Sequence, residues 1–254
     1  MNHLYKIVLY VCTILSFGSC VNYSKILYFQ GDQNQVSAPD PKTTYGLRPG
    51  DIILVKLFAP DPVSSEMFDI GTKSTVQVTP GSMYMNGYSV NDSGYVDLPL
   101  AGLTYVKGYT LDQVDSVLSI KVKEFFSYFT LEVKMGSFKI TALGEVNFPG
   151  VHYIYNNKCT IFEAIAWAGD ATDIANKHKV KVVRKMPDST DKVYHLNLTD
   201  FSVYESEAYY MQPNDMLYIQ PQRAKTISKN VQYVSLVFAS LSVLILLTNY
   251  VKTH

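Results

Sequence analysis

Cysteine, histidine and the carboxylates are the side chains of this sequence that could attack, ligate or shuttle protons. His152, His178 and His195 lie in the body of the chain at separations that fit no metal-ligand spacing, and neither H-E-x-x-H nor C-x-x-C occurs. There is no phosphate loop and no G-x-S-x-G elbow. Cys159 is the best candidate nucleophile, because it stands just before a helix-start signal and a helix N-terminus lowers a thiol pKa. A lone cysteine beside an apolar helix is more usually a small buried hydrophobe, and that reading is preferred. Asp170 and Asp173 read as helix-ending residues rather than metal ligands. Glu145, beside Gly144, could touch a ligand but reads first as a turn or interface residue. The expectation is a non-enzymatic protein with no catalytic residue, no metal and no cofactor.

The composition narrows the classes further. The chain has 254 residues, with 22 Lys+Arg balanced by 22 Asp+Glu, enough for one large or two small domains. A net charge of zero argues against nucleic acid as a partner. A hydrophobic content of 47% excludes a disordered chain, and three cysteines cannot build a disulfide scaffold. Mean hydropathy of +0.02 excludes a many-span membrane protein, although the average hides two apolar ends. Tyrosine is abundant at 20, whereas there is 1 tryptophan.

The first of those ends is an export signal over residues 1–19. Lys6 supplies a positive start, and the apolar run from Ile7 to Phe17 is too short to span a bilayer. Phe17-Gly18-Ser19-Cys20 resembles a bacterial lipobox, with Phe17 where leucine is usual. The resemblance implies cleavage before Cys20 and acylation of its sulfur. The alternative is an ordinary cleaved signal with an incidental cysteine. If Cys20 is acylated, Cys12 leaves with the signal, Cys159 is the single free thiol, and no intrachain disulfide can form. Residues 20–44 are polar, contain Pro39 and Pro41, and read as a lipidated tether.

The second apolar end, within residues 223–254, runs from Val231 to Val251 without a charge. As a helix it reaches roughly 31 Å, about one bilayer core. Its Val, Leu, Ile and Phe side chains favour insertion by roughly 4–7 kcal/mol before the polar residues are subtracted. Gln232, Ser235, Ala239, Ser242 and Asn249 fall on one side of the helical wheel, which suits close helix–helix contact or a wetted lumen. A plain monomeric anchor is the alternative. Arg223, Lys225 and Lys229 precede the span, while Lys252 and His254 follow it. With a periplasmic body, that asymmetry opposes the positive-inside tendency of the inner membrane and leaves the outer membrane free of conflict.

The body must position whatever the protein uses. Residues 45–136 and 137–222 read as two small α+β units joined at Gly136-Ser137, each with short strands and one helix, rather than as a parallel sheet. Thr110 with Gln113, and Thr160 with Glu163, are capping-box signals ahead of apolar helical stripes, with Gly169 as a stop for the second. Lys121 alone breaks the first stripe. The mixed polarity of residues 63–87 predicts no element. One echo links the units: Arg48-Pro49-Gly50-Asp51 precedes an apolar strand, as does Gln212-Pro213-Asn214-Asp215. Gly50 and Asn214 tolerate the positive φ of such a turn.

The ordered motifs resemble the outer-membrane polysaccharide export family. Tyr45-Gly46-Leu47-Arg48-Pro49-Gly50-Asp51 is similar to its opening motif. Tyr95 to Gly102 and Gly108-Tyr109-Thr110-Leu111 are similar to its next segment. Leu143-Gly144-Glu145-Val146-Asn147-Phe148-Pro149-Gly150 resembles the start of its soluble-ligand-binding β-grasp domain, which Ala164 to Asp170 and Val180 to Arg184 continue. Asp92-Ser93-Gly94 stands where the family has Asp-Gly, and Ala168-Gly169-Asp170 where it has Ala-Gly-Gly. The resemblance implies an α+β fold: a polysaccharide-export domain, one β-grasp domain and a C-terminal transmembrane helix. It implies turn or interface roles for Pro49, Gly50, Asp51, Gly94, Gly144, Glu145, Pro149, Gly150, Gly169 and Asp170. It further implies a homo-oligomeric ring, often of eight protomers, in the outer membrane. The body would be periplasmic, the polysaccharide polymer would be the cargo, and an inner-membrane co-polymerase/tyrosine autokinase would be the partner. The competing readings are a monomeric glycan-binding or scaffolding lipoprotein and a cysteine-dependent periplasmic enzyme.

Overall fold

The computed structural model describes residues 27–30, 45–60, 79–136 and 138–222, together with 235, 236, 238–240, 242, 243, 246–248 and 250. The export signal, Cys20, most of the tether, Gln232 and Asn249 lie outside the described residues.

The first unit is built on β1 (Ile52–Phe58). Ile53, Val55 and Leu57 are buried while Lys56 and Phe58 face outward, the period-two signature of a half-buried strand. Helix α1 (Pro80–Asn86) occupies part of the stretch whose polarity predicts nothing. Thr79 caps it reciprocally with Ser82, and Pro80 stands at its first turn. At seven residues it is too short to display an apolar period. β2 (Tyr88–Ser89) pairs antiparallel with the start of β1. β3 (Tyr95–Leu98) and β4 (Gly102–Tyr105) form a hairpin.

Helix α2 (Leu111–Val122) carries the predicted capping box. The Thr110 hydroxyl accepts from the Gln113 amide at 3.2 Å, and the Gln113 side chain accepts from the Thr110 amide at 3.0 Å. It buries Val114, Leu118 and Val122. Lys121, the charge on its apolar stripe, is a clasp: its Nζ donates to the Ala101 and Leu103 carbonyls at 3.1 Å and to the Thr104 hydroxyl at 2.8 Å. Three donors meet three acceptors, so the ammonium ties the β3–β4 hairpin to the helix. β5 (Thr130–Met135) then pairs antiparallel along β1 and completes a β2-β1-β5 sheet.

The second unit contains β6 (Lys139–Gly144), β7 (Gly150–Tyr153), β8 (Cys159–Thr160), α3 (Ile161–Trp167), β9 (Ala175–Lys185), β10 (Asp191–Leu196), a 3-10 turn (Phe201–Glu205), β11 (Tyr210–Met211) and β12 (Met216–Pro221). Its main sheet has the order β10-β9-β12-β6-β7, and β8 and β11 form a separate pair. The sheet is mixed rather than parallel: β10-β9, β9-β12 and β6-β7 pair antiparallel, and β12 runs parallel to β6, Met216 opposite Thr141 through Ile219 opposite Gly144. The first and last strands of the unit thus meet in its centre, a parallel pairing that a tight hairpin cannot make. Helix α3 seats Ile161, Ala164 and Ile165 in one core with Ile140, Ala142, Val180, Val182, Leu217 and Ile219.

Residues 27–30 are not a free tether as the polarity of 20–44 suggests, because they pack on the β-grasp unit. Gln30 donates its amide to the Thr199 carbonyl at 2.5 Å, and Tyr28 donates its hydroxyl to Asp170 at 2.6 Å. The Lys177 ammonium stands 3.7 Å from the centre of the Tyr28 ring, and the Phe29 ring lies 4.7 Å from that of Phe162. At the other end, Ser235, Ala239 and Ser242 are helical and exposed. Among the described residues no helix is long and apolar enough to cross a membrane, so they do not carry the expected C-terminal transmembrane helix.

Candidate functional site

The echo in the sequence is a pair of matching turns. Asp51 donates its amide to the Arg48 carbonyl at 3.0 Å, and its carboxylate accepts from the Arg48 amide at 2.8 Å. Asp215 repeats this with Gln212, at 3.1 and 2.8 Å. Gly50 at φ 87° and Asn214 at φ 67° take the left-handed corner in each. Each aspartate closes its turn by folding back on the residue three before it, which presets the entry angle of β1 or β12.

The partners of the two carboxylates differ. Asp51 is buried and accepts a hydrogen bond from the Tyr45 hydroxyl at 2.8 Å. Burial, followed by the Asp51 charge, holds that phenol well above its ordinary value. Asp215 instead meets Arg184 from β9 in a forked ion pair, Nε to Oδ1 at 3.0 Å and Nη2 to Oδ2 at 2.7 Å, with side-chain exposures of 3% and 1%. The same guanidinium donates to the Glu207 and Tyr210 carbonyls.

Between the two turns lies a cleft of about 900 Å³, at the junction of the two units. Tyr45, Arg48 and Lys107 line it from the first unit; Arg184, Lys185, Tyr194 and Glu207 line it from the second. Arg48 spans the junction. Its guanidinium donates to the Lys185 carbonyl and stacks on the Tyr45 ring at 5.0 Å, while its buried Nε has no hydrogen-bond partner. A volume of this order is that of ordinary small-molecule clefts. A more apolar hollow of about 310 Å³ shares Tyr45 and adds Met135, Phe138, Tyr210 and Met211.

The structure divides the residues singled out from the sequence. Pro49 and Asp51 line the cleft, and Gly50 sits on the same turn. Gly94, at φ 88°, lies against Lys107 and Tyr105. Gly144, Glu145, Pro149, Gly150, Gly169 and Asp170 are not in the cleft; they belong to a knot joining the end of β6 to the end of α3. There the Glu145 carboxylate accepts from the Thr172 hydroxyl at 3.0 Å, and the Asn147 amide donates to the Gly169 carbonyl at 2.7 Å. Asp170 takes positive φ and receives Tyr28. Sequence reasoning missed Tyr45, Lys107, Arg184 and Tyr194 as neighbours of one cleft. The doubled turn was the signal available for them, since it brings two matching corners to one place.

Cys159 is not poised for catalysis. It is buried, and burial, with Glu163 adding to it, pushes its thiol up to about 12. Desolvation wins over the helix N-terminus. Alkylation of the folded protein by iodoacetamide at pH 8 should therefore run more than about 100-fold slower at Cys159 than in urea, as peptide mass spectrometry would measure; equal rates would contradict the burial. Among the described residues no group of His, Cys, Asp and Glu side chains could hold a metal ion.

Residues 39–136 match the polysaccharide biosynthesis/export protein family, and residues 139–219 match the SLBB domain. Both are non-enzymatic transport and binding domains. No curated protein matches the chain. With the two domains adjoining in this order and each folded around its own core, the chain belongs to the polysaccharide export family and carries an SLBB domain behind its export domain.

Proposed function

We propose that the protein is an outer-membrane lipoprotein whose protomers assemble into a ring that exports capsular or extracellular polysaccharide, with its body in the periplasm. The observation that carries this reading is that Tyr28 and Gln222, from the segments leading to the two apolar ends, meet on one stretch of the SLBB domain. Tyr28 is bonded to Asp170, and Gln222 donates its amide to the Ile174 carbonyl and its side chain to the Ala175 carbonyl. Cys20 and Leu27 are seven positions apart and Gln222 and Val231 nine, reaches of at most about 25 and 32 Å. An acyl chain on Cys20 and a bilayer helix beginning near Val231 can therefore enter one membrane from one end of the SLBB domain. The stripe from Gln232 to Asn249 would face neighbouring protomers or the lumen, and a co-polymerase/tyrosine autokinase of the inner membrane would deliver the polymer. The transport step needs no covalent chemistry from this chain.

Native mass spectrometry and particle imaging of the detergent-extracted protein, with and without residues 231–251, test the reading. The expected result is a ring with a central hole that weakens or disappears on truncation. A monomer in both forms would overturn the channel and favour a monomeric glycan-binding scaffold.

A further inference from the structure

We infer that the cleft between the two turns binds an acidic stretch of glycan, recognising sugar carboxylates with Arg48, Lys107 and Lys185. This deepens the export reading and rests on it for the polymer, though not for the ring.

The charge around the cleft is unbalanced. Of its basic residues, Arg184 is neutralised by Asp215. Of its acids, Glu207 is neutralised by Lys192 at 2.6 Å, and Asp51 is buried beneath the Tyr45 hydroxyl and the Arg48 amide. Lys107 and Lys185 form no ion pair among the described residues, and Arg48 forms none within 4 Å although its charge favours ionised Asp51 and Asp215; all three line the cleft. Lys107 and Lys185 are exposed on opposite walls, one from each domain. Arg48 lies at the junction with its Nε buried and unsatisfied and Nη1 spent on the Lys185 carbonyl, so a ligand carboxylate would satisfy Nε only if the guanidinium turned toward the cleft. Such a set attracts anions, and a guanidinium fork beside two ammonium groups suits repeated carboxylates better than one isolated ion.

The size and span of the cleft favour sugar over a bare anion. The Tyr45 ring forms the floor under Arg48, and Tyr194 lines the opposite wall. Arg48 covers the Tyr45 ring, and Arg184 and Lys192 stand against Tyr194, so a pyranose would meet ring edges and the cations held on them rather than bare aromatic faces. At about 900 Å³ the cleft is larger than a single small anion needs. The two walls belong to different domains, so an occupant would bridge the junction already spanned by the Arg48–Lys185 hydrogen bond.

Isothermal titration of the full-length protein in detergent with tetragalacturonate, maltotetraose and inorganic phosphate tests the inference. Tetragalacturonate should bind at least about ten-fold more tightly than either of the others and weaken several-fold as salt is raised. R48Q and the double variant K107Q/K185Q should each weaken it about ten-fold or more. K123Q, beside the far end of β1, should leave it unchanged. The exposed lysines keep the test valid should R48Q disturb the junction. Equal binding of maltotetraose, binding of phosphate as tight as that of the tetramer, absence of binding, or indifference to K107Q/K185Q would each overturn the site. Native mass spectra of the same samples separate the two readings. A ring that fails to prefer tetragalacturonate removes the acidic-glycan site and keeps the channel; a monomer that prefers it does the reverse.

Discussion

Asp215→Ala is expected to destabilise the SLBB domain by about 3–5 kcal/mol, because it strands a guanidinium in the core. Arg184 is 3% exposed and directs Nε and Nη2 at Asp215. Without the carboxylate it keeps only two carbonyl acceptors, and at 3% exposure the guanidinium is poorly placed to be hydrated from the cleft it borders. A loss of that size is a large part of the roughly 5–15 kcal/mol that holds a domain together. The measurement is convenient, since the single tryptophan, Trp167, ends α3 of the same domain and reports its unfolding by fluorescence during urea titration. The double variant Arg184→Met with Asp215→Leu should recover most of the loss, because two apolar side chains leave no charge unpaired. Failure to recover would mean that the carboxylate matters chiefly for the turn, through its bond to the Gln212 amide. An Asp215→Ala midpoint unchanged from the parent would remove the argument altogether.

What could be read beforehand follows from range along the chain. The capping boxes at Thr110 and Thr160 each involve residues three apart, so the sequence displays them and the structure contains them. The doubled turn is equally local and was legible as a turn. Its consequence was not, because the cleft arises only when Arg48 and Lys185, 137 positions apart, are brought together. The parallel pairing of β12 with β6 is invisible for the same reason: no periodicity within either strand names its neighbour. Lys121 looked like a flaw in a helix stripe until its three acceptors on the β3–β4 hairpin were in place. Residues 27–30 read as polar linker because Tyr28 and Phe29 find their partners at Asp170, Lys177 and Phe162, far along the chain. The export family was legible because its motifs are turns and strand starts, which are short-range features.

Gly144→Ala should cost about 4 kcal/mol or more, whereas Gly108→Ala should cost about 1–2 kcal/mol, and the contrast isolates a steric clash from backbone strain. Both glycines take positive φ, +88° at Gly144 and +81° at Gly108, so each alanine pays for a left-handed backbone. At Gly108 nothing lies within 4 Å of an added Cβ. At Gly144 that carbon would fall 2.1 Å from the Ile219 carbonyl oxygen, which is backbone and cannot rotate away. The same oxygen accepts the Glu145 amide at 2.9 Å, and Ile219 faces Gly144 in the parallel register. Relief of the clash therefore means parting β6 from β12 at the centre of the sheet, with exposure of the Ile140, Leu217 and Ile219 core. Trp167 fluorescence in urea should move to a much lower midpoint for Gly144→Ala. For Gly108→Ala, in the export domain, far-ultraviolet circular dichroism should show the smaller shift. The damage should also travel. Glu145 holds Thr172, next to the Asp170 that receives Tyr28, so loosening the end of β6 should expose residues 27–30 to limited proteolysis before the export domain is cut. Equal, small losses for both variants would mean that β6 and β12 can separate at Gly144 without cost, and the central parallel pair would not be what holds the SLBB domain together.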